Sequence, residues 1–432
     1  MKLRGEMFMD KMKDSGIKWI GMIPEKWQVV SIKSFLQKRK EILEKWSNEN
    51  VLSLTLNGVV IRDLENPSGK MPATFDGYQK IYKGNLVLCL FDIDVTPRCV
   101  GIVYDDGVTS PSYSQYTIKE GDLRFYYYLL LMMDNDKILL QYSRTLRSTL
   151  TDEYFGAVKV AIPKSVIEQQ RIAKFLDEKT ALIDDIITDT KQTIEELKSY
   201  KQSLISEIVT KGLDSSETLV PSGVEWIGDS PKEWNKFTIG QLFEQVRKKN
   251  TGMIETNLLS LSYGRIKKRD INSGDGLLPE SFEGYNIIET DDIVLRMTDL
   301  QNDKKSLRQG ISEERGIITS AYITIRATKK VSSRFVYYQL FGFDVNKGYY
   351  GMGSGVRQSV NWNDVKKLPL MLPSFELQNQ IADFLDRKTA QIDTLITEKE
   401  NVISEYENYK KSMIYEYVTG KKRVDIDEGD LN

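Results

Sequence analysis

Ser15-Gly-Ile-Lys-Trp-Ile-Gly21 recurs 207 positions later as Ser222-Gly-Val-Glu-Trp-Ile-Gly228. The same step along the chain carries Trp27 to Trp234. Because matches of this length in the same order do not arise by chance, the sequence indicates a tandem duplication of one unit. Each copy of the unit begins with a Trp-Ile-Gly motif.

The match between the copies holds at both ends of the repeated unit and fades in its middle. Leu52-Ser-Leu54 returns as Leu259-Ser-Leu261, and Ile172-Ala-Lys-Phe-Leu-Asp177 returns as Ile381-Ala-Asp-Phe-Leu-Asp386. Two copies that match at their ends and differ in their middle parts suggest two sites that perform the same task on different targets. Drift of an unselected surface is the alternative explanation of the divergence.

A long helix is predicted at the end of each copy. Residues 168–211 and 375–419 contain no Gly and no Pro and are rich in Glu, Lys, Leu, Ile and Gln, which favour helix. Gly212 and Gly420 follow directly and are suited to end a helix. A helix of about 43 residues extends over roughly 65 Å.

Positions spaced alternately by four and three are apolar in both stretches except at two equivalent places, Thr190 and Lys201 in the first and Lys399 and Lys410 in the second, which predicts a coiled-coil seam. The predicted seam residues are Ile183, Ile187, Ile194, Leu197, Leu204 and Ile208 in the first helix and Ile392, Ile396, Ile403, Tyr406, Met413 and Tyr417 in the second. We expect the helices to pair in antiparallel fashion, with Thr190 facing Lys410 and Lys201 facing Lys399, and with the modules at opposite ends. The alternative is that each helix folds back on its own module.

Each module has the pattern of a mixed α/β (α+β) domain. Strands are predicted over 84–91, 157–162, 292–297 and 368–372, and helices over 123–131 and 335–340. The expected fold is two globular domains in tandem repeat, separated by two long helices that form an antiparallel coiled coil. The expected bounds are 1–167 for the first domain, 168–212 for the central long helix, 213–374 for the second domain, 375–420 for the C-terminal long helix and 421–432 for an acidic tail.

The composition excludes several classes of catalytic site. Histidine is absent, which removes Ser-His-Asp and Cys-His catalysis and His-ligated metals. Cys89 and Cys99 are the two cysteines; they cannot build a structural zinc site alone, and we expect reduced thiols in a cytosolic protein. No Walker loop and no dinucleotide-binding glycine motif occurs. No run of 18 apolar residues and no secretory signal pattern occurs, so we expect neither a membrane span nor secretion.

The formal net charge is −2, so DNA binding has to rest on local patches or be shared with a partner. Several clusters combine cations with aromatic or amide groups, which contact phosphates and base edges. The candidate DNA-binding residues are Lys38, Arg39, Arg98, Ser112, Tyr113, Gln115, Arg144, Arg147, Tyr263, Arg265, Lys267, Lys268, Arg269, Arg296, Tyr322, Arg357 and Gln358. Solvated protein surface, and an ordinary turn for the glycine-rich loop before Arg357, are the alternatives.

The arrangement resembles the specificity (S) subunit of type I restriction–modification systems over nearly the whole chain. The first copy carries the resemblance in Trp19-Ile-Gly21 with Pro24 and Trp27, Ile162-Pro163 followed by Glu168-Gln169, and Val209-Thr-Lys-Gly212. The second copy carries it in Trp226-Ile-Gly228 with Pro231 and Trp234, Leu372-Pro373 followed by Leu377-Gln378, and Val418-Thr-Gly-Lys421. Leu377 departs from the pattern, since the family usually has Glu there.

The resemblance implies that each module is a target-recognition domain for one half of a split site in double-stranded DNA. It implies helices that set the unread spacer and dock two methyltransferase subunits, which carry S-adenosylmethionine and methylate adenine. Two restriction subunits that use ATP and Mg are an optional addition. For this chain itself the resemblance implies no catalytic residue, cofactor, metal or membrane contact, and a cytoplasmic location. A coiled-coil scaffold or adaptor without a DNA role is the alternative function, and an enzyme with its own active site is disfavoured by the missing motifs.

Overall fold

The duplication extends to every helix and strand of the computed structural model, which describes residues 11–67, 71–143, 148–271, 279, 281–298, 300, 307–352 and 359–424. The first copy contains β1 (Met12–Asp14), β2 (Met22–Pro24), β3 (Trp27–Ser31), α1 (Ile32–Phe35), β4 (Leu36–Arg39), β5 (Leu52–Thr55), β6 (Gly58–Ile61), β7 (Gln79–Ile81), β8 (Leu86–Leu88), β9 (Val100–Ile102), β10 (Gly107–Thr109), β11 (Ser114–Ile118), α2 (Leu123–Asn135), a 3₁₀ helix (Ile138–Tyr142), α3 (Asp152–Ala157), β12 (Lys159–Pro163) and α4 (Val166–Lys211). The second copy contains β13 (Leu219–Val224), β14 (Gly228–Pro231), β15 (Asn235–Thr238), α5 (Ile239–Leu242), β16 (Phe243–Gln245), β17 (Leu259–Ser262), β18 (Arg265–Lys268), β19 (Asn286–Ile288), β20 (Ile293–Leu295), β21 (Gln309–Ile311), β22 (Gly316–Ile318), β23 (Ile323–Ala327), α6 (Ser333–Val345), a 3₁₀ helix (Gly348–Gly351), α7 (Trp362–Val365), β24 (Pro369–Leu372) and α8 (Phe375–Val418).

The two copies also share one sheet topology. A four-stranded antiparallel sheet has the order β4-β11-β8-β9 in the first copy and β16-β23-β20-β21 in the second. The hairpins β5–β6 and β17–β18 are equivalent as well. The central strand β8 is apolar throughout because both of its faces are buried: Leu86 and Leu88 pack into the core around α2, while Val87 packs with Leu52 of the hairpin.

The elements predicted from the sequence are present, with ends that differ by a few residues. The long helices α4 and α8 have 46 and 44 residues and begin and end within two positions of the prediction. Gly212 and Gly420 follow them with φ of +83° and +72°, a left-handed conformation that glycine adopts without strain. Among the described residues, no helix combines the length and the apolar content needed to cross a lipid bilayer.

The chain forms two compact units that differ from the two halves of the sequence. The first unit contains the described residues of Met1–Thr190 and Asn401–Asn432, and the second contains those of Lys191–Glu400. Both boundaries fall inside the long helices. Each unit therefore holds one module, the first part of the helix that follows it and the last part of the other helix, and the alternative that each helix folds back on its own module is wrong.

Within each unit the helix segments run antiparallel, as predicted. In the first unit the rings of Phe175 and Tyr417 lie 4.4 Å apart, and Lys410 Nζ donates to Asp184 Oδ1 at 2.6 Å. In the second unit Lys201 Nζ donates to both carboxylate oxygens of Asp393 at 2.8 Å. Residue numbers on α4 rise as those on α8 fall, which fixes the direction.

The predicted register of the helix pair is wrong. Lys410 contacts Asp184 instead of Thr190, and Lys201 contacts Asp393, six positions before Lys399. The two lysine side chains are only 23% and 21% exposed. A half-buried ammonium group is stabilised by a carboxylate and destabilised by a second lysine, so the charges select this pairing.

The predicted seam residues all face inward, and the helix ends bury a second stripe beside them. Ile183, Ile187, Ile194, Ile392 and Met413 are buried, and the other seam residues are half-buried: Leu197, Leu204, Ile208, Ile396, Ile403, Tyr406 and Tyr417. Ile205 and Val209 belong to the core of the second module, and Ile414 and Val418 belong to the core of the first. The last turns of each helix contact a helix and a module at once, which requires a wider apolar face than a coiled-coil seam alone.

A polar cluster holds each module on the helix that follows it. Arg124 Nε and Tyr128 Oη of α2 donate to Asp177 of α4 at 3.1 and 2.7 Å. The second copy repeats these bonds at 2.6 Å each, with Arg334, Tyr338 and Asp386. Because the charged and aromatic groups are the same in both copies, each module meets its own helix through the same contacts.

Candidate nucleic-acid interface

Two loops of the first module that carry predicted DNA-binding residues lie side by side. Residues 89–99 connect β8 with β9, and residues 143–151 connect the 3₁₀ helix with α3. Ile93 N donates to the carbonyl of Ser148 at 3.3 Å, and Leu150 N donates to the carbonyl of Leu90 at 2.7 Å. Arg98, at the other end of the 89–99 loop, is half-buried and lies near Tyr127 of α2, whereas Arg144 and Arg147 lie outside the described residues.

The polar and aromatic stretch before β11 joins this surface through one ring contact. Phe91 of the 89–99 loop stacks on Tyr113, with centroids 6.1 Å apart and ring planes 16° apart. Burial raises the pKa of the Tyr113 hydroxyl, so it stays a neutral group. Ser112 beside it is exposed, and its backbone N–H is the donor to Ser110 Oγ at 3.3 Å.

Gln115 was predicted to contact DNA, and the structure contradicts this. Its side chain is fully buried: Oε1 accepts from Asn85 Nδ2 at 2.6 Å and from the Tyr82 N–H at 3.0 Å, and Nε2 donates to the Lys80 carbonyl at 2.9 Å. Side chains of a strand alternate between faces, and Gln115 points inward. Its hydrogen-bonding groups are used by the module itself.

Lys38 and Arg39 are held by carboxylates of their own module. Lys38 pairs with Asp152, the first residue of α3. Arg39 donates to Glu41 at 3.3 Å, and its guanidinium carbon lies 3.5 Å from the centroid of the Tyr82 ring. Both side chains are about 40% exposed, but their charge is compensated, which weakens them as phosphate contacts.

The second module places its candidates on the equivalent loops. Residues 296–308 connect β20 with β21, and residues 352–361 connect the second 3₁₀ helix with α7. Val360 N donates to the carbonyl of Met297 at 3.0 Å, so these loops also lie side by side. Arg296 is half-buried at the start of the first loop, whereas Arg357 and Gln358 lie outside the described residues.

The β17–β18 hairpin reaches the same surface with its tip. Tyr263 at the tip is 73% exposed. The next residue, Gly264, has φ +76°, and an added Cβ there would lie 2.9 Å from Leu307 Cβ, so only glycine allows the tip to approach the 296–308 loop this closely. Tyr263 therefore stands beside that loop.

The cations of this hairpin differ in their exposure and in their ion-pair partners. Lys267 and Arg269 are exposed, and Lys268 pairs with Glu314 at 2.8 Å. Arg265 pairs with Asp393 of α8, in a cleft of about 630 Å³ between the hairpin and the helices, and so anchors the hairpin. Tyr322 occupies the position of Tyr113 and is likewise half-buried, and its predicted contact with DNA stays a prediction. Its ring packs against the apolar cluster of Leu259, Leu261, Ile288, Val294 and Ile318.

The two hairpins have the same strand pairing and different exposed side chains. Leu56 in the first copy occupies the position of Tyr263, and Val60 and Ile61 occupy those of Lys267 and Lys268. Leu56, Val60 and Ile61 are 64%, 38% and 49% exposed. One module thus presents apolar side chains where the other presents an aromatic ring and cations.

The sequence is similar to that of known proteins over most of its length. Residues 24–196 and 231–405 match the family model of the type I restriction modification DNA specificity domain. The chain is 23% identical to a protein of Methanocaldococcus jannaschii named as a type I restriction enzyme MjaX specificity subunit, over 94% of this chain and 96% of that one.

The fold is similar to that of two solved structures. One comes from work on complex assembly and conformational transition of the type I R-M system; it has a TM-score of 0.67 at 11% identity and covers 93% of this chain and 99% of the other. The other is the HsdS subunit of Thermoanaerobacter tengcongensis, with a TM-score of 0.50 at 13% identity over 93% and 98%. At these identities the likeness is one of fold.

Proposed function

The chain belongs to the type I restriction–modification DNA specificity family, and we propose that each of its modules reads one half of a split DNA site. One observation carries the proposal: equivalent loops and an equivalent hairpin stand on the same scaffold twice, with different exposed side chains. Tyr263 and Lys267 replace Leu56 and Val60. Two readers of different half-sites need this combination of constant frame and variable surface.

The exposed groups of each surface divide into positioning and reading groups. Lys267 and other exposed cations neutralise phosphates, which gives affinity without sequence information. Guanidinium, amide and hydroxyl groups of the loops read base edges, and apolar groups such as Leu56 contact thymine methyl groups. Because the net charge of the chain is −2, partner subunits have to supply part of the positive surface around the DNA.

The long helices set the unread spacer in this proposal. Half-sites on one face of B-DNA lie about 34 Å apart or a multiple of that distance. Helices of 46 and 44 residues extend over roughly 65 to 70 Å each, which is long enough. An insertion in one helix alone would break the pairing of Lys201 with Asp393, so the spacer changes only when both helices change together.

In this proposal the partner subunits catalyse the reactions on DNA, and this chain recognises the DNA sequence. Methyltransferase subunits bring S-adenosylmethionine, and restriction subunits, where present, bring ATP and Mg. The outer faces of the helices offer a docking surface: Tyr200 and Tyr409 are equivalent residues and are 56% and 58% exposed. Aromatic side chains of this kind are common anchors in protein interfaces.

Sequencing of methylated DNA tests the proposal directly. A host without adenine methylation receives this gene together with the gene of a type I methyltransferase subunit, or the methyltransferase gene alone. We expect methyl-adenine in a split motif on both strands only when both genes are present. An unchanged methylation pattern with an active methyltransferase would contradict the proposal and favour a scaffold without a DNA role.

Exchange of one module tests the division of labour. Residues 30–160 are replaced by the corresponding part of another specificity subunit, and the motif is determined again. One half of the motif should change while the other half and the spacer stay the same. A change in both halves would contradict the model of two independent readers.

A further inference from the structure

A buried carboxylate lies under the strand-connecting loop of each candidate interface. Asp134 and Asp344 occupy equivalent positions near the ends of α2 and α6 and are 3% and 6% exposed. One oxygen of each accepts the backbone N–H of the last loop residue, Cys99 at 2.6 Å and Arg308 at 2.9 Å. The carboxylate therefore fixes the point at which the loop enters the next strand.

In the first module the partner of this carboxylate is Lys137, which follows α2. Its Nζ donates to Asp134 Oδ1 at 3.1 Å, to the carbonyl of Ile93 at 3.2 Å and to the carbonyl of Thr96 at 2.9 Å. An ammonium group has three N–H donors, so one is used by the carboxylate and two by the 89–99 loop. Lys137 thereby gathers two loop carbonyls at one point.

In the second module the cation comes from a different position of the chain. Arg308 is fully buried; its Nη1 and Nη2 donate to the carbonyls of Thr298 and Leu300 at 3.5 and 3.1 Å, and its Nε lies 4.0 Å from Asp344 Oδ1. Lys347, the counterpart of Lys137, instead lies over the ring of Tyr350 at 5.2 Å. The same carboxylate thus pairs with a cation of the loop itself.

We propose that Lys137 and Arg308 are positioning residues for DNA recognition, each of which holds its strand-connecting loop in the shape that reads its half-site. This inference rests on the function proposed above. A buried charge lowers stability unless it is paired and hydrogen-bonded, and an apolar residue would fill the same space at lower cost. Both modules nevertheless hold a cation against loop carbonyls, with Arg308 fully buried and Lys137 34% exposed, and they reach this arrangement from different chain positions.

The two cations arrange the loop carbonyls that they bind in different ways. An ammonium group draws its acceptors to one centre, whereas the planar guanidinium of arginine spreads them along a fork. The neighbouring loop follows, since Ile93 N donates to the Ser148 carbonyl and Val360 N donates to the Met297 carbonyl. A change of cation therefore alters the reading surface of one module and leaves the other module unchanged.

The test uses the full chain with its methyltransferase partner, in the methylation assay described above. Lys137→Met and Arg308→Met remove one cation each, and Lys137→Arg keeps the charge. Lys119→Met and Lys249→Met are the matched controls, because each removes a lysine bond of 2.9 Å to a backbone carbonyl elsewhere in the same module. We expect Lys137→Met to lower methylation of the original motif about tenfold and to relax only the half read by the first module, since the charged hydrogen bonds to the Ile93 and Thr96 carbonyls are lost.

Arg308→Met should relax only the other half, and the controls should leave the motif unchanged. Lys137→Arg should alter the half read by the first module, because a guanidinium arranges the Ile93 and Thr96 carbonyls differently from an ammonium group. If the wild type methylates a split motif and both methionine variants leave it intact, the inference is wrong and the proposed function stands. If the wild type gives no split motif with an active partner, the proposed function is wrong, and the inference with it.

Hydrogen exchange on the purified chain distinguishes loop positioning from general unfolding. In Lys137→Met, amides of residues 90–98 should exchange about tenfold faster, since the bonds that hold the loop are lost, while the β8 and β11 amides keep their rates. Loop amides that exchange at the same rate in Lys137→Met as in the wild type would overturn the inference even if methylation were lost. Faster exchange throughout the module would overturn it as well.

Discussion

The indole Nε1 of Trp27 donates a hydrogen bond of 2.8 Å to Glu168 Oε1, which ties the start of β3 to the first turn of α4. The second copy lacks this bond because Leu377 stands in the place of Glu168. The indole Nε1–H of Trp234 is buried there with no acceptor in the part of the chain that the structure describes. A departure from the family motif thus leaves one buried donor unsatisfied.

Leu377→Glu is expected to stabilise the second unit by restoring the missing acceptor. A hydrogen bond to a charged group contributes about 1 to 2 kcal/mol to the free energy of unfolding, and Glu168→Leu should lower it by a similar amount. Urea unfolding followed by tryptophan fluorescence measures both. Leu377→Met, which keeps the apolar volume without an acceptor, is the control and should be nearly neutral. A loss of stability in Leu377→Glu would show that burial of the carboxylate outweighs the bond.

Asp393→Ala is expected to destabilise the chain more than Asp184→Ala. Asp393 accepts from Lys201 and from Arg265 and is 30% exposed, whereas Asp184 pairs with Lys410 and is 56% exposed. We expect about 1 to 2 kcal/mol for the first variant and less than about 1 kcal/mol for the second. Urea midpoints in low salt and in about 1 M NaCl measure the difference, which should shrink in high salt. Equal effects of the two variants would contradict the conclusion that Asp393 stabilises the chain more than Asp184 does.

Lys267→Ala is expected to weaken binding to any DNA sequence without changing the motif. Loss of one phosphate contact reduces the slope of log Kd against log salt concentration by about 1. Titration of the assembled complex with specific and unrelated duplexes at several salt concentrations measures the slope. Lys191→Ala removes an exposed lysine of α4 and serves as the control. An unchanged slope in Lys267→Ala would remove this hairpin from the interface.

Gln115→Leu is expected to lower stability and to leave recognition by the folded protein unchanged. The variant leaves Asn85 Nδ2, the Tyr82 N–H and the Lys80 carbonyl without this partner inside the module. Unsatisfied buried groups cost about 1 to 3 kcal/mol each, less what rearrangement recovers. Thermal unfolding and methylation sequencing separate the two effects, with the exposed Ser112→Ala as a stability control. A stable variant with an altered motif would return Gln115 to the interface.

The repeated arrangement of module and long helix was predictable because the same sequence pattern occurs in both copies. The seam residues recur 209 positions later, and the glycines that follow the long helices, Gly212 and Gly420, are 208 positions apart. An apolar helix period that recurs in this way in both copies does not arise by chance. The register was not predictable from the seam alone. It depends on which acids Lys201 and Lys410 reach, and apolar spacing does not contain that information.

The inward residues of the modules were harder to predict for a different reason. Gln115 looks like a surface group in the sequence, and only its partners on distant strands show that it is internal. The carboxylates under the loops could have been found in the sequence. Asp134 and Asp344 are separated by nearly the same number of positions as Asp177 and Asp386. A polar residue that is kept in both copies, amid divergent neighbours, points to a shared internal partner.

The division of the long helices between the units has a consequence for synthesis on the ribosome. The second unit is continuous in sequence and is complete when Glu400 has emerged, whereas the first unit needs Ile414 and Val418 to fill its core and Lys421 to bind the Ile20 carbonyl. At roughly 5 to 20 residues per second the first module waits about 10 to 50 s for these residues. The part of the protein that is translated first is therefore the last to mature, and its apolar surface around Trp27 stays open until residues 414–421 have been translated.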